Sequence, residues 1–135
     1  MDNIDMQSTG YLRVQVFTAD EALPLQNASV IITQEDAKGD STLIRVMTTN
    51  QDGTTQLIGL PAPDASLSQK PGQGIPYSEY NVTISLSGYY PRIFERVPIF
   101  PGQVAIQNAA MMPAMPGEIP IEEQPIIESE PTDLL

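Results

Sequence analysis

The 135-residue sequence contains no histidine, no cysteine and no tryptophan. Without histidine it lacks the side chain that most often serves as a general base and as a zinc ligand. Without cysteine it can form neither disulfides nor thiolate metal sites, which fits a cytoplasmic protein. We therefore expect no catalytic residues, no bound cofactor and no metal site, and we expect that the protein is not an enzyme.

Basic residues are scarce. Six Lys and Arg stand against 17 Asp and Glu, giving a formal net charge of −11. The range 118–135 contains no basic residue and has a charge of −6, so the rest of the chain carries −5. Both parts repel phosphate groups, which argues against nucleic acid and against an anionic membrane surface as partners.

Long apolar runs are also absent. No stretch approaches the ~20 apolar residues of a membrane-spanning helix. The opening residues, MDNIDMQSTG, have neither a basic region nor an apolar core and do not resemble a signal peptide. We expect synthesis in the cytoplasm, with any association with a spore, a cell wall or a particle following a non-classical route.

Short alternating segments and turn residues dominate residues 1–112. No helical periodicity is present there, and the 13 prolines and nine glycines of the whole chain favour many turns. Seven strands at roughly 8–12-residue spacing predict an all-β sandwich. They are predicted at 11–17, 28–33, 41–49, 54–60, 77–87, 92–100 and 103–112, where Pro98 makes 92–100 an edge strand or an extended arm. A long proline-rich loop is predicted over 61–76.

The composition changes after residue 112, which predicts an N-terminal arm (1–9), a sandwich (10–112) and a tail (113–135). The tail has five prolines and six acids, and we expect it to be disordered when free. It also contains apolar residues that an extended peptide can dock. We predict that it binds a neighbouring subunit or a protein partner by strand addition or groove binding at the sandwich edge. The expected contact residues are Ile119, Ile121, Glu122, Glu123, Ile126 and Ile127, with the two glutamates meeting basic residues.

The segment YNVTISLSGYYP ends an alternating strand with Gly88, Tyr89, Tyr90 and Pro91. The two tyrosines are either a stacking platform for a sugar or the corner of a sheet. In a corner, Gly88 supplies a positive φ and one tyrosine packs under the sandwich edge. We favour the structural corner.

Other motifs give weaker indications. The loops around Asp52 and Asp36 lack the spacing of a calcium-binding loop. No two acids are placed together as a glycosidase needs, and no histidine can activate a serine.

Taken in order, LRVQVF, LPLQNASVIIT, TTNQDGTTQLIGLPAP and YNVTISLSGYYP resemble the carboxypeptidase regulatory-like domain over residues 10–112. This resemblance implies a seven-stranded Greek-key β-sandwich of the transthyretin (prealbumin) type and a role in folding support, adhesion or domain pairing. In detail the segments are most similar to the N-terminal domain of clostridial spore cortex-lytic enzymes and related Firmicute proteins. No catalytic domain follows here, so lytic activity is not implied.

Three functions remain open from the sequence. The first is a non-catalytic interaction or assembly module, associated through the resemblance with a bacterial cell-wall or spore cortex system. The second is a structural component of a phage or phage-like particle. The third, a small peptidoglycan-binding module, would need exposed aromatic rings in a groove, and the chain has only three Phe and five Tyr.

Overall fold

The computed structural model describes residues 7–64, 76–115 and 126–128. Eight strands lie in these ranges, and none of the described residues is helical. Consequently, no helix of the described chain is long and apolar enough to span a membrane. The strands are β1 (Gln7–Thr18), β2 (Ser29–Glu35), β3 (Ser41–Thr48), β4 (Ile58–Pro63), β5 (Ser78–Ser85), β6 (Arg92–Ile99), β7 (Val104–Met111) and β8 (Ile126–Glu128).

The strands form two sheets that pack as a sandwich, so the predicted all-β fold is confirmed. One sheet has the order β4-β1-β7, and the other has the order β3-β2-β5-β6-β8. The hairpins β2–β3 and β5–β6 stay within the second sheet, whereas the connections that follow β1, β3, β4 and β6 cross between the sheets. Most ladders are antiparallel, but β1 pairs with β7 and β6 pairs with β8 in parallel.

The core accounts for the alternating sequence, because β2, β5 and β6 direct alternate side chains between the sheets over most of their length. In β5 the buried residues are Tyr80, Val82 and Ile84, while the polar residues between them face outward. The remaining buried apolar residues are Leu12, Val14, Val16, Ala28, Val30, Ile32, Ile58, Leu60, Ala62, Phe94, Val97, Ile99, Ala109 and Met111.

Several predicted boundaries move. β1 begins at Gln7, so the last residues of the predicted arm belong to the sandwich. β4 occupies 58–63 instead of 54–60 and includes Pro61 and Pro63, which the prediction placed in a loop. These prolines are tolerated because β4 is the outer strand of its sheet and pairs only with β1.

The segment predicted as an irregular edge, 92–100, contains the regular strand β6. It pairs with β5 on one side and, over its first three residues, with β8 on the other. A bulge interrupts its pairing with β5 between Tyr80 and Val82. Arg96 lies at this irregularity with a φ of 59°, and its amide donates to the Asn81 Oδ1 atom at 3.0 Å.

Candidate interaction site

The glycine–tyrosine corner and the start of the tail lie against each other, although the sequence suggested two separate sites. Tyr89 forms an isolated antiparallel bridge with Pro113. The Ala114 amide donates to the Gly88 carbonyl at 2.9 Å, and the Tyr90 amide donates to the Met112 carbonyl at 2.9 Å. The corner therefore holds the chain where it leaves β7 and enters the tail.

The geometry of the corner follows from its residues. Gly88 has a φ of 90°, a conformation that costs glycine little and most other residues more. The turn closes through the Tyr89 amide, which donates to the Leu86 carbonyl at 3.0 Å. Tyr89 is half-buried and packs against the core, and Tyr90 and Pro91 are also partly buried. The corner thus presents no fully exposed ring for stacking.

β6 begins directly after Pro91, and its first residues accept β8. Arg92, Ile93 and Phe94 lie opposite Ile126, Ile127 and Glu128 in a parallel register. We call the outer backbone of residues 92–94 the acceptor edge. Two of the six predicted contact residues, Ile126 and Ile127, lie on this edge in the same chain. The other four, Ile119, Ile121, Glu122 and Glu123, lie outside the described residues.

The first residue of the acceptor edge, Arg92, also ties β6 to the other sheet. It is only 8% exposed, and its NH1 group donates to the Ala110 carbonyl of β7 at 2.5 Å. Its guanidinium carbon lies 5.0 Å from the centre of the Phe94 ring, a cation–π distance. Because a buried cation is costly unless it is well paired, the hydrogen bond to Ala110 and the contact with the Phe94 ring are what make the burial of Arg92 at this edge tolerable. The sequence did not single out Arg92, since one Arg at a strand start carries no distinctive signal.

Two features limit the acceptor edge to a short length. Arg96 adopts a left-handed conformation, which bends the strand, and Pro98 has no amide hydrogen to donate. The described β6–β8 ladder covers Arg92 to Phe94, before both residues. Arg96 and Pro98 therefore make the second half of β6 less suited than residues 92–94 to accept a strand.

The other outer strands differ in how they are protected. β4 carries Pro61 and Pro63, which cannot donate to an added strand. β3, at the far side of the second sheet, exposes Leu43 and Val46 and is interrupted by an irregular register against β2 between Ile32 and Thr33. β7 is the other outer strand of the first sheet, where it pairs with β1 and exposes Val104 and Ile106. Among the described strands, β3 and β7 are thus the alternative places where an external strand can add.

An apolar cleft of about 350 Å³ lies at the turn between β6 and β7. Its lining residues are Pro98, Phe100, Gln103, Val104 and Ala105, and we call it the turn cleft. The Tyr77 ring lies beside it, with its centre 5.0 Å from that of Phe100. The cleft has a single polar side chain, so it suits an apolar group and not a polar substrate.

In the two loops that were compared with calcium-binding loops, a side-chain oxygen accepts hydrogen bonds from backbone amides of the same loop. The Asn50 Oδ1 atom accepts from the amides of Asp52 and Thr54, and the Asp36 Oδ1 atom accepts from the amides of Lys38 and Asp40. These are local turn contacts. Within the described ranges, no group of three or more acidic residues is arranged to hold a metal ion.

No protein family model and no curated protein matches the sequence. Among solved structures, the Bacillus anthracis TIE protein is similar with a TM-score of 0.53 and 15% identity. That match covers 79% of this chain and 17% of the other. Catechol 1,2-dioxygenase from an Acinetobacter species is similar with a TM-score of 0.56 and 13% identity, covering 89% of this chain and 58% of the other.

A mutant of Acinetobacter radioresistens catechol 1,2-dioxygenase gives a TM-score of 0.57 at 12% identity, covering 89% of this chain and 57% of the other. Sparus aurata transthyretin also matches, with a TM-score of 0.36, 20% identity and coverage of 54% and 53%, an overlap too partial to add to the fold assignment. The chain spans less than two thirds of the length of each of these proteins. At such identities the similarity shows the fold alone, and the fold that it shows is a β-sandwich.

Proposed function

We propose that this protein is a non-catalytic assembly module. In this proposal, the tail of one molecule adds as a strand to the acceptor edge of a neighbouring copy, in exchange for the intrachain pairing. The observation that carries the proposal is the parallel ladder between β8 and residues 92–94. Strand addition depends mainly on backbone hydrogen bonds, so a ladder that forms within one chain can form between two copies with the same register.

The chain length between the corner and β8 permits this exchange. Ala114 is held at Gly88, only four residues before Arg92, and Ile126 lies opposite Arg92. The backbone from Gly88 to Arg92 spans at most ~14 Å, because an extended chain rises no more than ~3.6 Å per residue. The lateral steps from Ala114 to Gly88 and from Arg92 to Ile126 add ~5 Å each, so the intrachain connection spans at most ~24 Å. Residues 115–125 can extend to ~40 Å, so nothing in the connection obliges β8 to pair with its own β6.

The short ladder also makes the intrachain pairing exchangeable. Three paired residues contribute few hydrogen bonds, and each is worth only ~0.5–1.5 kcal/mol net. A tethered strand nevertheless has an effective concentration in the millimolar range, so it covers the acceptor edge in a dilute monomer. We therefore expect assembly to depend on protein concentration, with the intrachain strand protecting the edge until a neighbour is close.

The charges favour the same arrangement. The range 118–135 carries six acids and no base, while β6 carries one exposed basic residue, Arg96. The cellular setting that we propose, a cell-wall or spore cortex system, rests on the resemblance of residues 10–112 to Firmicute spore proteins. The absence of histidine and cysteine supports a module without hydrolytic activity. Incubation with purified peptidoglycan should release neither reducing sugar nor muropeptides.

The test is sedimentation of the full chain against a chain truncated after Pro116. The full chain should show concentration-dependent oligomers, and the truncated chain should remain a monomer with nearly the same melting temperature. Ile127→Pro, which removes an amide hydrogen from β8, should behave like the truncation. Leu43→Asp on β3 is the matched control and should assemble like the parent. If the truncated chain still assembles while Leu43→Asp does not, β3 is the interface and the proposal is wrong.

A further inference from the structure

The turn cleft has no occupant in the described part of the chain, and the direction of β8 points toward it. β8 runs parallel to β6, so its C-terminal end is directed toward Ile99 and the β6–β7 turn. The cleft lies at that turn and is lined by Pro98, Phe100 and Val104 among others.

The length of the following chain matches the distance to the cleft. Glu128 lies opposite Phe94, and Pro98 is four residues further along β6, or ~13 Å at 3.3 Å per residue. Phe100 is about two residues beyond Pro98. Residues 129–135 can extend to ~23 Å. This length is therefore sufficient for Leu134 and Leu135 to reach the cleft.

The chemistry of this segment also fits the path. Leu134 and Leu135 are its two apolar residues, and the cleft walls are mainly apolar. Glu130 and Asp133 lie between β8 and the leucines, and the exposed side chain of Arg96 lies on β6 between the ladder and the cleft. The order of acids and then leucines in this segment thus matches the order of the guanidinium group and then the apolar cleft along β6.

We propose that the turn cleft is the binding site for residues 129–135, with Leu134 and Leu135 as its anchors. The segment belongs to whichever chain supplies β8 to that β6. Binding in the cleft adds side-chain contacts to the weak three-residue ladder. These contacts give the tail a preference for the β6 edge over other strand edges, which backbone pairing alone cannot provide. This inference rests on β8 lying on β6, and it holds whether or not β8 exchanges between copies.

The test uses a nitroxide spin label, which the absence of cysteine makes simple. Thr132→Cys, labelled in the full chain, should cause loss of the amide NMR signals of Phe100, Gln103, Val104 and Ala105. The signals of β3 should keep their intensity. Two further variants of the spin-labelled chain, each changed at a site away from the label, serve as controls. Adding Leu134→Ser and Leu135→Ser, or adding Val104→Asp in the cleft, should restore the lost signals, and both changes lie at positions that are not part of the described core.

A mixture of isotope-labelled protein and spin-labelled protein separates this inference from the proposed function. If the cleft signals are lost only when both labels are in one molecule, the result supports the cleft site and contradicts exchange of the tail. If they are also lost in the mixture, the result supports the cleft site and the exchange of the tail. If the cleft signals persist in every sample, or if the double serine variant leaves the signal loss unchanged, the leucines do not occupy the cleft and the inference is wrong.

Discussion

Replacing Tyr80 by phenylalanine should weaken the attachment between the two sheets. Tyr80 lies in β5 and is 2% exposed, and its hydroxyl donates to the Pro61 carbonyl of β4 at 2.6 Å. This hydrogen bond joins the two sheets at a position where no strand ladder does so. Tyr80→Phe keeps the ring and removes only the hydroxyl, so the change isolates the hydrogen bond from the packing.

The expected cost can be derived from the surroundings of the acceptor. A buried carbonyl left without a donor costs ~1–3 kcal/mol, but Pro61 is exposed, so water can replace the hydroxyl in part. The loss should therefore be near the net value of an ordinary hydrogen bond, ~1 kcal/mol. For a chain of this size, that corresponds to a decrease of roughly 3–5 °C in melting temperature.

The pH dependence provides a second readout. Burial raises the pKa of the Tyr80 phenol above its ordinary value, and a hydrogen bond with Gln34 lowers it by a smaller amount. The unfolded chain therefore releases this proton at a lower pH than the folded chain does. The contribution of Tyr80 to stability is complete below about pH 10 and decreases as the pH rises toward the folded pKa.

The assay is thermal unfolding followed by circular dichroism from neutral pH to pH 11. Tyr77→Phe is the matched control, because the Tyr77 side chain is 46% exposed and its hydroxyl should contribute less than ~0.5 kcal/mol. The stability difference between the parent and Tyr80→Phe should shrink above pH 10. If Tyr80→Phe melts within about 1 °C of the parent at neutral pH, the hydrogen bond does not join the sheets as described.

Three further changes probe the turn, the corner and the acceptor edge. Gly53→Ala should lower the free energy of unfolding in urea clearly more than Gly39→Ala does. Both glycines have positive φ, but an added Cβ at Gly53 lies 2.5 Å from the Val16 carbonyl oxygen, whereas Gly39 has open space. Equal losses for the two variants would contradict this reasoning. Tyr89→Ala should lower stability by ~2 kcal/mol, about half the cost of truncating a fully buried ring. Tyr90→Ala should lower it less, because of the two tyrosines only Tyr89 packs against the core. If both variants melt like the parent, the corner is a binding site instead. Arg92→Met should lower the free energy of unfolding by ~1–3 kcal/mol in the same assay, because it removes the charged hydrogen bond to Ala110. Arg96→Met, at an exposed position, should lower it by under ~0.5 kcal/mol. The reverse order would contradict the role given to Arg92.

The regular part of the fold was predictable because its signal is local. The alternation of Tyr80, Val82 and Ile84 with polar residues gives both the strand and its buried face. The start of β4 was not predictable from propensity. The Thr55 amide donates to the Val14 carbonyl at 3.0 Å, but the Val14 amide donates back to the Thr55 side-chain oxygen and not to a backbone carbonyl. The regular ladder is broken there, and the strand begins only at Ile58.

The candidate site was only partly predictable, because it depends on contacts between distant residues. The sequence indicated a corner at Gly88 and a docking peptide in the tail, but nothing local shows that Pro113 lies beside Tyr89. That contact follows from the parallel pairing of β1 with β7, which brings the end of β7 to the β5–β6 corner. Arg92 was missed for the same reason, since its acceptor lies 18 residues away in the other sheet.

The most direct test of the assembly proposal is to separate the donor strand from its acceptor. Isotope-labelled protein truncated after Pro116 should be titrated with a peptide of residues 117–135 and followed by amide NMR. We predict saturable binding, with the largest shifts at residues 92–94 and a second group at the turn cleft, and no binding by a peptide that carries Ile127→Pro. Shifts that are absent, that centre on β3, or that persist with the proline peptide would contradict the claim that the tail adds to the β6 edge.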